Sequence, residues 1–314
     1  MQTKQNAKPF LKWAGGKKQV VNFIDEKVSQ SIKGSVIDKY AEPFLGGGAV
    51  FFHLVSKYKI NEVYLGDINE ELILTYNVVK YAPNELISEL GVYSNFSKLS
   101  QEDKKEVYYG TRKKFNENLD NFDYTISDNK PTEEQILRAS QMIFLNKTCF
   151  NGLYRVNKSG KFNVPMGSYK NPLICDKVNI LNVSKVLEDV DIVSEDYHAS
   201  DDDGFIDENT FVYLDPPYLP IKENSFTSYT ADGFGVEEQI DLSKFCKRID
   251  EKDAKFILSN SDPKNHDPSN DFFEKTYKKL NLKNCGYKRI DVRRFINSKG
   301  NGRSAIKELL IFNF

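Results

Sequence analysis

Short β-branched and aromatic runs alternate with helix-like runs toward both ends of this chain, and that alternation limits its fold more than any other feature. Ser35 to Glu42 reads as a strand, Pro43–Gly48 as a turn and Ala49 to Tyr58 as a helix. Glu62 to Leu65 reads as a second strand, followed by a helix from Asn69 to Tyr81 that stops near Pro83. Strand signals return at Ile192–Val193, Phe211–Leu214 and Lys255–Leu258, with a helix from Val236 to Ile249 between the last two. The tail offers two more strands, Lys288 to Phe295 and Glu308 to Phe314. Strands separated by helices imply an α/β fold with a mostly parallel sheet. The two terminal strands are expected to pair as an antiparallel hairpin across Asn297–Arg303. From about Asn84 to Asn171 the pattern becomes helical, polar and aromatic, and it ends in a loop rich in Gly, Asn and Lys. This block reads as an insertion between the second and third strands.

With 314 residues the chain is long enough for one large domain or two moderate ones. Its 39% apolar and 28% charged content fits a folded, soluble protein, and 17 Tyr and 22 Phe give the core large side chains. The formal net charge of −1 excludes a global cationic field, so any polyanion would have to meet local positive charge. Such charge clusters at Arg112, Lys113 and Lys114, at Arg155, Lys158, Lys161 and Lys170, and at Lys288, Arg289, Arg293, Arg294, Lys299 and Arg303. Each cluster taken alone is also what a solvated surface looks like. The cysteines, Cys149, Cys175, Cys246 and Cys285, lack any metal-ligand spacing, so no metal is expected. The opening MQTKQNAKPF lacks the apolar core of a signal peptide, and no apolar run reaches the ~18 residues of a membrane span. A cytoplasmic protein with reduced thiols is expected.

Three stretches carry chemistry. In AEPFLGGGAVFFHL, Gly46–Gly48 follow a strand and open a helix, where glycine lets the backbone turn tightly and a ligand approach closely. About 20 residues later YLGDINEEL ends a second strand at Asp67, the place where nucleotide-binding α/β folds put an acid on ribose hydroxyls. The GxGxxG fingerprint is absent, so an adenosyl compound without phosphates fits as well as a nucleotide. FLKWAGGKKQ resembles a phosphate loop only superficially: the first Gly is missing and Lys18 stands where Ser or Thr is required. What remains is the lone Trp13, which could simply be a core residue, beside a Gly-Gly turn and Lys17. In FVYLDPPYLP, Asp215 ends a strand-like run and two prolines fix the turn. An ordinary strand-terminating turn would look the same. At the C-terminal end of a central strand, however, Asp215 would face the crevice where open α/β sheets bind ligands. Its carboxylate and the Pro216 carbonyl are two acceptors for one NH₂ group, and Tyr218 offers a flat face for a ring.

Taken in order, KWAGGK, EPFLGGG, GDIN, NKTCFNGLYRVNKSGKFNVPMG and DPPY resemble the Dam-type DNA adenine methyltransferases, with the motif order of their alpha class. The resemblance runs from about Phe10 to the end of the chain. It implies a Rossmann-like methyltransferase domain over 1–83 and 172–314 and a mainly helical DNA target-recognition domain over 84–171. It also implies S-adenosylmethionine as methyl donor and no metal. By matching positions, Trp13 and Lys17 would line the donor pocket. Phe44 and Gly46, Gly47 and Gly48 would pack around its methionine part, and Asp67 would hold its ribose. Asp196 and Tyr197 would border its adenine, unless they form an ordinary strand-end turn. Asp215, Pro216, Pro217 and Tyr218 would be the catalytic turn, with Asp215 near both donor and target. The target adenine would flip out of duplex DNA. In the family, positions matching Leu153, Arg155 and Pro165 read bases of a GATC site, Phe150 and Asn151 sit where the flipped base departs, and Lys12 approaches the first guanine. Phe150 stands where some relatives have Tyr, which keeps stacking but loses a hydroxyl. The expected partner is double-stranded DNA, met by a monomer, with a restriction endonuclease encoded nearby or with a solitary or phage role. Two other readings stay open: a methyltransferase of RNA or of a protein amide, and a sequence-specific DNA-binding protein without catalysis. Protein-amide enzymes open the equivalent turn with Asn rather than Asp.

Overall fold

The computed structural model describes residues 6–13, 17, 19–32, 34–219, 234–293 and 305–314. In chain order its helices and strands are α1 (Val21–Ser31), β1 (Val36–Glu42), α2 (Ala49–Val55), β2 (Lys59–Gly66), α3 (Glu70–Tyr81), α4 (Pro83–Leu90), α5 (Gln101–Phe115), α6 (Glu133–Thr148), α7 (Lys177–Leu187), β3 (Asp191–Val193), α8 (Ala199–Asp202), β4 (Thr210–Leu214), α9 (Val236–Glu251), β5 (Lys255–Ser261), α10 (Phe272–Lys278), β6 (Gly286–Arg293) and β7 (Ala305–Phe312). The sheet has seven strands in the order β3-β2-β1-β4-β5-β7-β6. It is mostly parallel, as the alternation of strands and helices implied, and consistent with a Rossmann-like fold. β1 pairs in parallel with β2 and β4, and β4 with β5; β7 runs antiparallel to both β5 and β6. All five residues of β4 are buried, as a strand in the middle of a parallel sheet must be. The expected terminal hairpin is present as β6 and β7, while the Asn297–Arg303 connection lies outside the described residues.

Several boundaries differ from the sequence reading, for local reasons. α2 ends at Val55 rather than Tyr58, because β2 begins at Lys59 and pairs with Val36. Pro83 does not merely stop a helix. It opens α4 at the first helical position, where a missing N–H costs nothing. α1, α7, α8 and α10 were not anticipated.

Contacts divide the chain into two units, 1–16 with 46–56 and 67–194, and 17–45 with 57–66 and 195–314. The first holds α2 to α7 and β3. Capping residues start its helices: the Asn69 side chain accepts from Leu72 N at α3, Ser100 accepts from Asp103 N at α5, and Thr132 and Gln135 form a reciprocal capping box at α6. Most of α6 is buried, and its Phe144 stacks on Tyr93 with 3.9 Å between ring centroids. Arg138 of α6 forks onto Glu71 of α3 through Nε at 2.9 and 3.0 Å, and the Tyr124 hydroxyl donates to the same carboxylate at 2.6 Å. The second unit holds the remaining strands with α1, α8, α9 and α10. Its core is aromatic and aliphatic: Tyr40, Tyr213, Phe245, Phe256, Leu258 and Ile311 are fully buried.

Candidate active site

In the second unit the C-terminal end of β4 delivers Asp215 into a buried polar cluster. Lys17 Nζ lies 2.8 Å from Asp215 Oδ1 and 2.6 Å from Glu308 Oε1 of β7. It also donates to the Tyr218 hydroxyl, which in turn donates to Glu308 Oε1. Burial favours the protonated form of Asp215 and pushes its pKa up to about 6; Lys17 pulls the other way, while Glu308 reinforces the rise. Burial by itself lowers the pKa of Lys17. Attraction to Asp215, Tyr213 and Glu308 outweighs it, and the ammonium is held well above its ordinary pKa.

The turn after Asp215 is pinned from below. Gln239 of α9 donates to the Pro217 carbonyl at 3.1 Å, and Asn260 of β5 accepts from Leu219 N at 3.2 Å and donates to Gln239 at 3.1 Å. Among the described residues the Pro216 carbonyl and Asp215 Oδ2 have no hydrogen-bond partner. Two acceptors on adjacent residues, held by a braced turn, suit a single NH₂ group. Near the other expected residues of this unit, Phe44 stacks on Tyr197 at 5.1 Å between centroids. The Tyr197 hydroxyl donates to Asp241 at 2.7 Å. Asp196 is exposed, and its side chain accepts from His198 N at 3.0 Å at the start of α8.

In the first unit the glycine turn and Asp67 meet. Asp67 accepts from Gly46 N at 2.9 Å and from Asn69 N at 3.0 Å, which leaves further lone pairs on both oxygens. Burial pushes its pKa up to about 6 against the pull of those two N–H groups. Gly46 has φ +49°, and a Cβ there would lie 2.7 Å from the Trp13 ring; Gly48 has φ +65°, and a Cβ would lie 2.9 Å from the Tyr76 hydroxyl. Both positions therefore exclude a side chain by conformation and by space. Trp13 is half-buried and stacks on Tyr154 at 5.4 Å. A side-chain-free turn beside a carboxylate with spare acceptor capacity fits a flat, hydroxyl-bearing nucleoside such as the adenosyl part of S-adenosylmethionine.

The same unit builds a hairpin from the Asn- and Lys-rich loop. Bridges join Cys149 to Met166 and Val156 to Phe162, and Asn157–Gly160 form the tip. Arg155 is exposed and its Nε donates to Asn163 at 2.7 Å; Phe150 is 47% exposed and Asn151 adopts φ +59°. Leu153 is half-buried, and the exposed Pro165 accepts from Phe150 N at 2.8 Å. Lys12 reaches over the Tyr169 ring at 4.0 Å, with its backbone tied to Asn146 by two bonds of 2.8 Å. Of the basic clusters, Arg289 is committed to Asp262 and Glu274, and Arg294, Lys299 and Arg303 lie outside the described residues. Among the described residues no group of three or more His, Cys, Asp or Glu could hold a metal ion, and no helix is long and apolar enough to cross a membrane.

Sequence reasoning missed Glu308, Gln239 and Asn260. The first two carried one usable signal each: a lone Glu in the apolar run of β7, and a Gln on the core face of α9.

Residues 13–291 match the sequence profile of the D12 class N6 adenine-specific DNA methyltransferases. The chain is 46% identical over 310 residues to the Type II methyltransferase M.MjaIII of Methanocaldococcus jannaschii, covering 98% of this chain and 99% of that protein. It is 34% identical over 314 residues to the Type II methyltransferase M1.LlaDCHI of Lactococcus lactis subsp. cremoris, covering 99% and 97%. It is 31% identical over 306 residues to the DNA adenine methylase of Escherichia coli K12, covering 96% and 93%.

Proposed function

This chain belongs to the D12 class of N6 adenine-specific DNA methyltransferases, and from that premise we propose that it methylates the adenine of GATC in duplex DNA with S-adenosylmethionine as donor. When bound, that donor would supply an electrophilic sulfonium methyl group. Asp67 would accept hydrogen bonds from its ribose, and the backbone of Gly46, Gly47 and Gly48 would pack around its methionine part. Phe44, Tyr197 and Asp196 are the proposed contacts to its remaining parts.

The target nitrogen is a poor nucleophile because its lone pair is delocalised into the adenine ring. Hydrogen bonds from the NH₂ group to Asp215 and the Pro216 carbonyl favour a pyramidal nitrogen and localise that pair. Pro217 keeps the turn rigid, and Tyr218 stacks on the base. Orientation and electrostatics carry the catalysis. A flipped base is required, because the amino group is out of reach inside a duplex. We assign target recognition to 84–171 and the chemistry to 1–83 with 172–314. Arg155 is the proposed guanine reader, the commonest specific contact in the major groove. Leu153, Pro165 and Lys12 are its neighbours in that reading, and Phe150 and Asn151 hold the gap left by the flipped base. The Type II names of two relatives favour a partnership with a restriction endonuclease.

The observation that carries the proposal is the braced Asp215–Tyr218 turn with its two open acceptors. The test is transfer of radiolabelled methyl to duplex oligonucleotides with GATC and with single-base variants of it. Label on the GATC adenine alone supports the reading; equal labelling of the variants removes the GATC assignment, and no labelling of any duplex removes the activity.

A further inference from the structure

We propose that Glu308 is a positioning residue for methyl transfer, acting through Lys17 and the Tyr218 hydroxyl on the Asp215–Tyr218 turn; the proposal rests on the adenine-methylating role of that turn. Lys17 has three N–H donors, and three acceptors surround it: Asp215 Oδ1, Glu308 Oε1 and the Tyr218 hydroxyl. Every donor is used, so the ammonium has no freedom to turn elsewhere. Tyr218 accepts from Lys17 and donates to Glu308, which fixes its ring at the hydroxyl end. Lys17 occupies Oδ1 of Asp215 and leaves Oδ2 to the base. Glu308 is the anchor of this arrangement, since it is the one member that binds both Lys17 and Tyr218 while lying outside the turn.

Its neighbours argue against a merely structural role. Leu309, Leu310 and Ile311 are fully buried, and Glu308 itself is only 6% exposed. A buried carboxylate in an apolar strand seldom adds net stability, even when paired. Here it also gives one ammonium two anionic partners and leaves the cluster a net negative charge. Among the described residues Lys17, Glu308 and Tyr213 face Asp215, and Tyr218 joins the same cluster through Lys17. Glu308 is the only anion among them, and its charge opposes ionisation of Asp215. Removing that charge while keeping the shape should therefore make Asp215 ionise more easily, even as the geometry loosens.

The experiment compares wild-type enzyme with Glu308→Gln and Glu308→Asp. It measures kcat on duplex GATC DNA between pH 5 and 8, S-adenosylmethionine Kd by calorimetry, and the thermal melt. Glu308→Gln should lower kcat roughly 10- to 100-fold with Kd little changed. Its acidic limb should also move to lower pH by about one unit, because a like charge near Asp215 is gone. Glu308→Asp keeps the charge but draws back from Tyr218 and Lys17, so kcat should fall while the limb stays near that of the wild type. A loss of kcat in Glu308→Gln without movement of the limb, or unchanged kcat, overturns the proposal. If Glu308→Gln does not melt cooperatively, Glu308→Asp decides: lowered kcat with unchanged Kd supports the role, and wild-type kcat refutes it. A wild-type enzyme that transfers no methyl to duplex adenine would instead remove the reading on which the proposal rests.

Discussion

Replacing Asp67 with Ala tests its proposed donor-binding role most directly. The carboxylate accepts from Gly46 N at 2.9 Å and Asn69 N at 3.0 Å, and its remaining lone pairs are the proposed ribose acceptors. A hydrogen bond to a charged group contributes about 1.5–3 kcal/mol, so S-adenosylmethionine Kd should rise roughly 10- to 150-fold at pH 7.5. Calorimetry gives Kd, and a thermal melt checks that the fold has survived the loss of the acceptor for Gly46 N and Asn69 N. The pH dependence adds a second reading. Burial lifts the folded pKa of Asp67 from the ordinary 3.8 to about 6. A raised folded pKa means that the stability gained from the protonated form is complete below about 3.8 and is lost as pH rises through about 6. Ligand binding needs the opposite, ionised form, so wild-type affinity should weaken as pH falls through about 6, and Asp67→Asn should abolish that dependence. Wild-type Kd in Asp67→Ala at pH 7.5 would place the ribose elsewhere and refute the assignment.

Under the proposed mechanism Asp215→Asn, which keeps the shape beside Lys17, should lose at least ~10²–10³-fold in kcat; near-normal turnover would sink the mechanism. Arg155→Ala should narrow the kcat/KM gap between GATC and sites changed at one guanine-bearing pair by ~1–3 kcal/mol, whereas Lys158→Ala should slow all sites about evenly. If Arg155→Ala slows every site by the same factor, Arg155 is a phosphate anchor. Arg138→Met should destabilise the first unit by about 3–5 kcal/mol in urea titration, since Glu71 would keep a buried charge without its forked partner. Restoring most of that loss with a second change, Glu71→Leu, would attribute the cost to the stranded carboxylate; no recovery would assign it to packing.

The strands were the legible part of the fold because each is a short apolar run closed by a turn signal. β1, β4 and β5 start within one residue of the expected positions, β1 and β4 end where expected, and β5 runs on to Ser261. Two of the unanticipated helices had a readable pattern. Val21, Ile24 and Val28 of α1 and Ile180, Val183 and Leu187 of α7 recur at the three- and four-residue steps of a buried helix face. α10 is seven residues long, too short for periodicity to separate it from a turn. The block from 84 to 171 showed its helices through composition, but not the Arg138–Glu71–Tyr124 pairing, whose members are up to 67 residues apart.

The site divides along the same physical line. Asp67 and Asp215 stood out because each ends a strand, and a carboxylate there has a local reason to be noticed. Lys17 had none. Its local setting suggested only a failed phosphate loop, yet its three acceptors come from the end of β4, the turn that follows and a strand 291 residues away. Glu308 is the mirror case, a charge that costs free energy in an apolar strand until partners from elsewhere arrive. A buried charge at the head of an apolar run such as Leu309–Phe312 is thus the sequence trace of a long-range contact. It announces that a partner exists and leaves the partner unnamed. For Glu308 the partners are Lys17, which holds Asp215, and Tyr218, which closes the turn that follows it, and so the last strand of the chain is tied to that turn.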